Sequence, residues 1–208
     1  MMNKNEQNKP KLVLAGLGVL IVLELLAAWM VVAVYVRRDD GLLVRRTAGF
    51  LPVARVGSYS VNYNQFVFTR DAIKHFLNSP TVKSAGQAQP MTPLIEKSAY
   101  ERLLREAAVK ELAVERKVQV TDGDVDKAYG EFLVQASSSV PDVSKYIRET
   151  FDWDEKEYRA NVVRPQLMEE KLVATYATDT DPTAQFETYL AERLQKPDVK
   201  RYLKFPTN

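Results

Sequence analysis

The chain has 208 residues, with 29 Lys and Arg against 27 Asp and Glu, a formal charge of +2 at pH 7. No basic excess or basic stripe marks a nucleic-acid footprint. With no cysteine and one histidine, a disulfide framework, a Cys–His nucleophile and a zinc site built mainly on Cys or His are all excluded.

Residues 1–11 form a short tail carrying Lys4, Lys9 and Lys11, and residues 12–36, "LVLAGLGVLIVLELLAAWMVVAVYV", follow with Glu24 as their one charge. At about 1.5 Å per residue this stretch reaches roughly 37 Å, enough to cross a hydrocarbon core of about 30 Å with some tilt. A cleaved signal peptide shares the basic start, but its apolar region normally runs about 7 to 15 residues, so an uncleaved single-pass transmembrane anchor is favoured. The three lysines compete with Arg37, Arg38, Arg45 and Arg46 on the other flank, and the positive-inside rule leaves the orientation open. Glu24 has two readings: a polar contact with a partner helix inside the membrane, or a protonated residue tolerated among Leu, Ile and Val.

Residues 37–52 read as a basic linker, and residues 53–205 as one domain. "PVARVGSYSVNY" alternates apolar and polar residues around Gly57-Ser58, the pattern of a small β-hairpin. It leads directly into a helix start: Asn62 as N-cap, Gln65 three residues on to close a capping box, and Val61 facing Phe66 as a hydrophobic staple. The same device returns with Thr121 and Asp124, flanked by Val120 and Val125, and with Asp154 and Glu157, flanked by Trp153 and Tyr158. Thr92-Pro93 and Asp181-Pro182 mark two further starts, each a capping side chain before a proline at the first helical position.

The helix bodies agree with these starts. Tyr100, Leu103, Leu104, Ala107, Ala108 and Leu112 recur at helical spacing, and so do Val125, Ala128, Tyr129, Phe132, Leu133 and Ala136. Leu167, Leu172 and Tyr176 belong to another helix, with Pro165 expected to kink it, and Phe186, Tyr189, Leu190 and Leu194 give the last helix an apolar face. Residues 78–92 and 137–142 read as loops, with a short extra helix in "DVSKYIRETF". The fold class is mainly α with one small β-hairpin.

In the first helix of the domain, steps of about 100° place Tyr63, Phe66, Val67, Ile73 and Leu77 on one face, expected to be core. Phe68 and His75 fall on the opposite side. That side is either a second buried face or a candidate contact with a client or partner. "DGDVD" at Asp122 to Asp126 mimics the start of a calcium loop. Lys127 stands where glycine is needed and Leu133 where the bidentate glutamate belongs, so helix capping explains it better. No glycine-rich phosphate loop occurs, no cofactor is expected, and no catalytic residue is assigned.

The order of hairpin, capped helix, loop, a long helix leading into "LAVERKVQVTDGDVDKAYGEF", and then "FDWDEKEYRANVVRPQLMEEKL" resembles the N-terminal chaperone domain of SurA and PrsA-type foldases. The resemblance covers roughly residues 53 to 205. Such foldases usually carry a parvulin-type prolyl isomerase domain before the final helix. Here only a few residues around Thr178 to Pro182 intervene, so no isomerase activity is carried over. The resemblance implies a domain outside the cytoplasm, N-terminus inside, that acts without ATP on unfolded or translocating polypeptides. The alternative is a non-catalytic scaffold or assembly subunit that binds one membrane partner through the same fold.

Overall fold

The computed structural model describes residues 22–138, 140–176 and 181–205. The expected tail at residues 1–11 and the first part of the apolar stretch, residues 12–21, lie outside these. The chain is mainly helical with a small antiparallel sheet, and it divides into two compact units at Leu51/Pro52.

In the N-terminal unit, residues 22–31 form helix α1, which continues as a wider π-helical segment, π1 (Val32–Arg37). Arg38 ends it in the left-handed region, with φ 51°, and its N–H returns to Ala33 O. Helix α2 (Leu42–Ala48) follows, inside the segment expected to be a linker, and lies against π1. Seven residues are too few to show a helical period in the sequence, but Val44 and Ala48 are one turn apart and both are buried. Among the described residues no helix is long and apolar enough to cross a membrane.

The second unit begins with the expected hairpin, β1 (Pro52–Val56) and β2 (Tyr59–Asn62), in which Val56 pairs with Tyr59 and Arg55 with Ser60. Gly57 turns the chain at φ 53°, a conformation that favours glycine. The register shifts between Pro52 and Ala54, which leaves the Val53 carbonyl outside the regular ladder. It accepts the Tyr100 hydroxyl at 3.0 Å and the Tyr202 N–H at 3.0 Å. A two-residue strand, β3 (Lys200–Arg201), pairs with the other edge of β1, so the hairpin becomes a three-stranded sheet ordered β2-β1-β3.

All five expected helix starts are in place. Asn62 caps α3 (Tyr63–Leu77), Thr92 caps α5 (Pro93–Glu115) and Thr121 caps α6 (Asp122–Ser137). Asp154 and Asp181 begin the last two helical stretches. In each capping box both reciprocal bonds form; at Asn62, for example, Gln65 N–H donates to Asn62 Oδ1 at 2.9 Å and Asn62 N–H to Gln65 Oε1 at 2.8 Å. The loop expected over residues 78–92 contains a one-turn helix, α4 (Pro80–Ser84), capped by Ser79. The extra helix in the next loop is α7 (Val143–Phe151), capped by Asp142.

The stretch from Asp154 is one helix with a change of pitch: α8 (Glu155–Tyr158), a π-helical segment π2 (Arg159–Val163), then α9 (Arg164–Ala174). Pro165 falls in the first turn of α9. The position of the expected kink thus coincides with a wide turn just before the proline. Pro165 cannot donate to Asn161 O in the α-helical register, and that carbonyl instead accepts Arg102 Nη2–H from α5 at 2.7 Å. After residues 177–180, α10 (Pro182–Gln195) returns along α5.

Two cores result. In the first, α5 buries Tyr100, Leu103, Leu104, Ala107, Ala108 and Leu112 against the hairpin, α3 and α10. The second joins Val125 and Tyr129 of α6, Ile147 of α7, Trp153 and Val163. Helix α3 serves both: Tyr63, Phe66 and Val67 are buried, whereas Ile73 and Leu77, expected in the core, are half-buried. Phe68, on the other side of α3, stacks on Trp153 with ring centroids 5.3 Å apart and planes 4° from parallel. Trp153 in turn stacks on Phe151.

Phe68→Ala should therefore destabilise the domain by about 2 kcal/mol, below the full cost of a large-to-small core change because the ring is only half-buried. Chemical unfolding of the variant checks this, and an unchanged midpoint would show that the ring stack carries no stability.

Candidate functional site

Helices α5, α9 and α10, with π2, border an open groove of about 680 Å³. Its apolar lining comes from Val162, Pro165 and Val173, each half-buried, and from Phe186, which is almost fully buried. The local sequence explains the opening. Pro165 and the wide π2 turn stand at the start of α9, while Phe186 and Leu190 turn the buried face of α10 onto α5. The polar edges of the three helices then flank a gap that no side chain of the described residues fills.

Those edges are joined by one arginine. Arg105 on α5 donates Nε–H and Nη2–H to Glu169 of α9 at 3.0 and 2.7 Å, and Nη1–H and Nη2–H to Glu187 of α10, both at 2.7 Å. Its guanidinium also lies over the Phe186 ring, 5.6 Å from the centroid. Two bidentate pairs on one planar fork fix three helices in direction as well as distance. The bonds from Arg105 hold the Glu187 carboxyl below its ordinary value of 4.5, and those same two carboxylates raise Arg105.

Because one positive charge meets two carboxylates, the cluster is left with a net negative charge. Glu170, bonded by Gln166 Nε2–H at 2.9 Å, adds a further carboxylate to the same wall. Arg102 and Glu106 at the other end pair with each other at 3.0 Å and cancel. The groove therefore has an apolar lining under an acidic rim. Such a surface can hold an apolar, positively charged segment of chain without covalent chemistry. Among the described residues no group of three or more His, Cys, Asp or Glu is arranged to hold a metal ion.

The residues singled out in the sequence lie elsewhere. Phe68 is half-buried in the second core, and His75 Nε2–H donates to the Glu149 carbonyl of α7 at 3.0 Å. Helix α7 thus packs beside the far side of α3, where Phe68 and His75 are both half-buried. Glu24 is exposed on α1. Sequence reasoning missed Arg105, Glu169 and Glu187. Arg105 sits between Leu104 and Ala107 on an otherwise buried face, and that is the only local sign of it; its partners are 64 and 82 residues away.

The depressed Glu187 value fixes the sign of a pH effect. A carboxylate held low in the folded state contributes stability above its unfolded value, 4.5, and loses it as pH falls through the folded value. Glu187 is half exposed, so the effect should stay under about 1 kcal/mol. Between wild type and Glu187→Gln, the gap in melting temperature should be open near about pH 6 and closed near about pH 2. A constant gap across that range would show that Glu187 does not act through its charge.

No known protein family, curated protein or solved structure matches this chain, so what the groove binds has to be argued from its own residues.

Proposed function

We propose that this protein is a membrane-anchored, ATP-independent chaperone-like module that holds unfolded or exported polypeptides outside the cytoplasm. The observation that carries this reading is the groove itself, in which an apolar lining lies open beneath charged walls between three helices. A volume of this size suits a few side chains of an extended or helical segment. Apolar surface that is open yet rimmed by polar groups is characteristic of a protein-binding site.

Three further features support the reading. The order of hairpin, capped helices and long helices resembles the chaperone domain of SurA and PrsA-type foldases. The sequence has no phosphate-binding glycine loop to couple binding to ATP. The apolar residues 12–36 are long enough to anchor the domain, and within their described part Val22, Leu23, Leu25, Leu26, Val31, Val32 and Val36 are exposed. A helix that leaves so much apolar surface uncovered suits a lipid environment.

A photo-crosslinking residue placed at Thr183, on the groove, and another at Lys127, exposed on α6, test this in the full chain held in membranes. An unfolded model polypeptide should crosslink from position 183 and hardly from position 127, and the same preparation should delay its aggregation. Equal crosslinking from both positions would remove the groove as the binding site. One stoichiometric partner, in place of many unfolded chains, would turn the reading into that of an assembly subunit.

A further inference from the structure

The end of the apolar helix reverses direction sharply. Arg38 is left-handed, and the Asp39 N–H returns to Ala33 O at 2.9 Å. The Gly41 N–H is then held by Asp39 Oδ1 at 2.8 Å. This turn brings α2 back beside π1 instead of letting it run on. Whatever depth π1 occupies, α2 shares it.

Helix α2 has two faces. At about 100° per residue, Val44 and Ala48 fall together and are buried, at 1% and 0% exposed. Leu42, Leu43 and Arg46 fall on the other side. The two leucines are each 64% exposed, and Phe50 just beyond is 68% exposed. Arg46 is exposed between the leucines, and Arg37 is exposed at the end of π1. Three large apolar side chains and two exposed guanidinium groups thus share a segment that joins directly to an apolar helix.

We infer that this face lies in the headgroup layer of a membrane containing anionic phospholipids. Leu42, Leu43 and Phe50 enter the acyl boundary, while Arg46 and Arg37 bond lipid phosphates. The inference rests on the membrane anchorage proposed above. Two observations choose this occupant. Residues 37–50 carry Arg37, Arg38, Arg45 and Arg46 against Asp39 and Asp40, a net charge of +2 that complements anionic headgroups, and the chain enters this segment directly from Val31, Val32 and Val36 of the anchor, all exposed. Guanidinium groups at the end of an apolar helix reach the interface while their stems stay in apolar surroundings. A short helix with leucines flanking an arginine does the same in the interface plane.

The chain has no cysteine, so single cysteines can carry an environment-sensitive dye without further change. Full-length protein labelled at Leu43→Cys, or at Val31→Cys as a report on the anchor, is reconstituted into phosphatidylcholine vesicles with and without phosphatidylglycerol. Quenching by acrylamide, a neutral solute, is then read against the free dye. In the anionic vesicles both labels should be quenched at least about threefold less than the free dye. Arg37→Glu combined with Arg46→Glu should abolish the protection at position 43 alone. If position 31 is protected and position 43 is quenched like the free dye, the interfacial placement is overturned while the anchor stands. Protection at position 43 that is equal in purely zwitterionic vesicles, or unaffected by the paired substitution, overturns the assignment to anionic headgroups. Quenching at position 31 would remove the anchor, and the inference with it.

Discussion

An ion cluster centred on the buried Arg193 ties the ends of the second unit together. Arg193 on α10 is only 5% exposed. Its guanidinium is bound on two sides, by Glu111 of α5 through Nε–H and Nη2–H, and by Asp198 through Nη1–H at 3.0 Å and Nη2–H at 2.8 Å. An uncompensated charge at this depth would cost several kcal/mol, so all three groups have to arrive together. The hairpin turn is part of the same constraint. A Cβ added at Gly57 would sit 1.8 Å from Glu111 Oε1 and 3.1 Å from Arg193 Nη2. The left-handed backbone at Gly57 thus serves two needs, the tight turn and room for the ion pair. Hairpin, central helix, final helix and the turn into β3 converge on one guanidinium.

Arg105 repeats the device two turns earlier on α5, but at partial exposure and with a different result. There the two glutamates come from α9 and α10, and the guanidinium holds these helices at the walls of a groove instead of drawing them into a core. The buried pairing at Arg193 ties α10 to α5, and the more exposed pairing at Arg105 leaves apolar surface beside it open. Pro165 contributes to the same opening. The carbonyl it deprives of a partner is taken by Arg102, so the wide π2 turn is stabilised from α5. A groove that is partly apolar and partly acidic follows from how the three helices are fastened.

Much of this fold could be read in the sequence because the signals are local. Each capping box spans four residues, and the turn at Gly57 and the buried face of α5 follow from short periodicities. What escaped is either too short or too distant. The helices α2 and α4 and the strand β3 are too brief to set up a period. The irregular register at Val53 depends on Tyr100 and Tyr202, 47 and 149 residues on, neither of which announces itself. What Phe68 and His75 meet on the far side of α3, Trp153 and the Glu149 carbonyl, lies 85 and 74 residues away in the chain. For the same reason the sequence marked five helix beginnings while the groove between three of those helices left no trace, since its central ion pairs join residues far apart in the chain.

The claim that most needs testing is that the α5, α9 and α10 groove is where unfolded chain is held. Backbone hydrogen exchange on the full-length protein in membranes, with and without an unfolded apolar polypeptide bearing lysines, reads this without any substitution. Added protection should concentrate in α9 and α10 along the groove and be absent from α6 and α7 in the second core. Protection confined to α6 and α7, or none anywhere under conditions where aggregation is delayed, would contradict it.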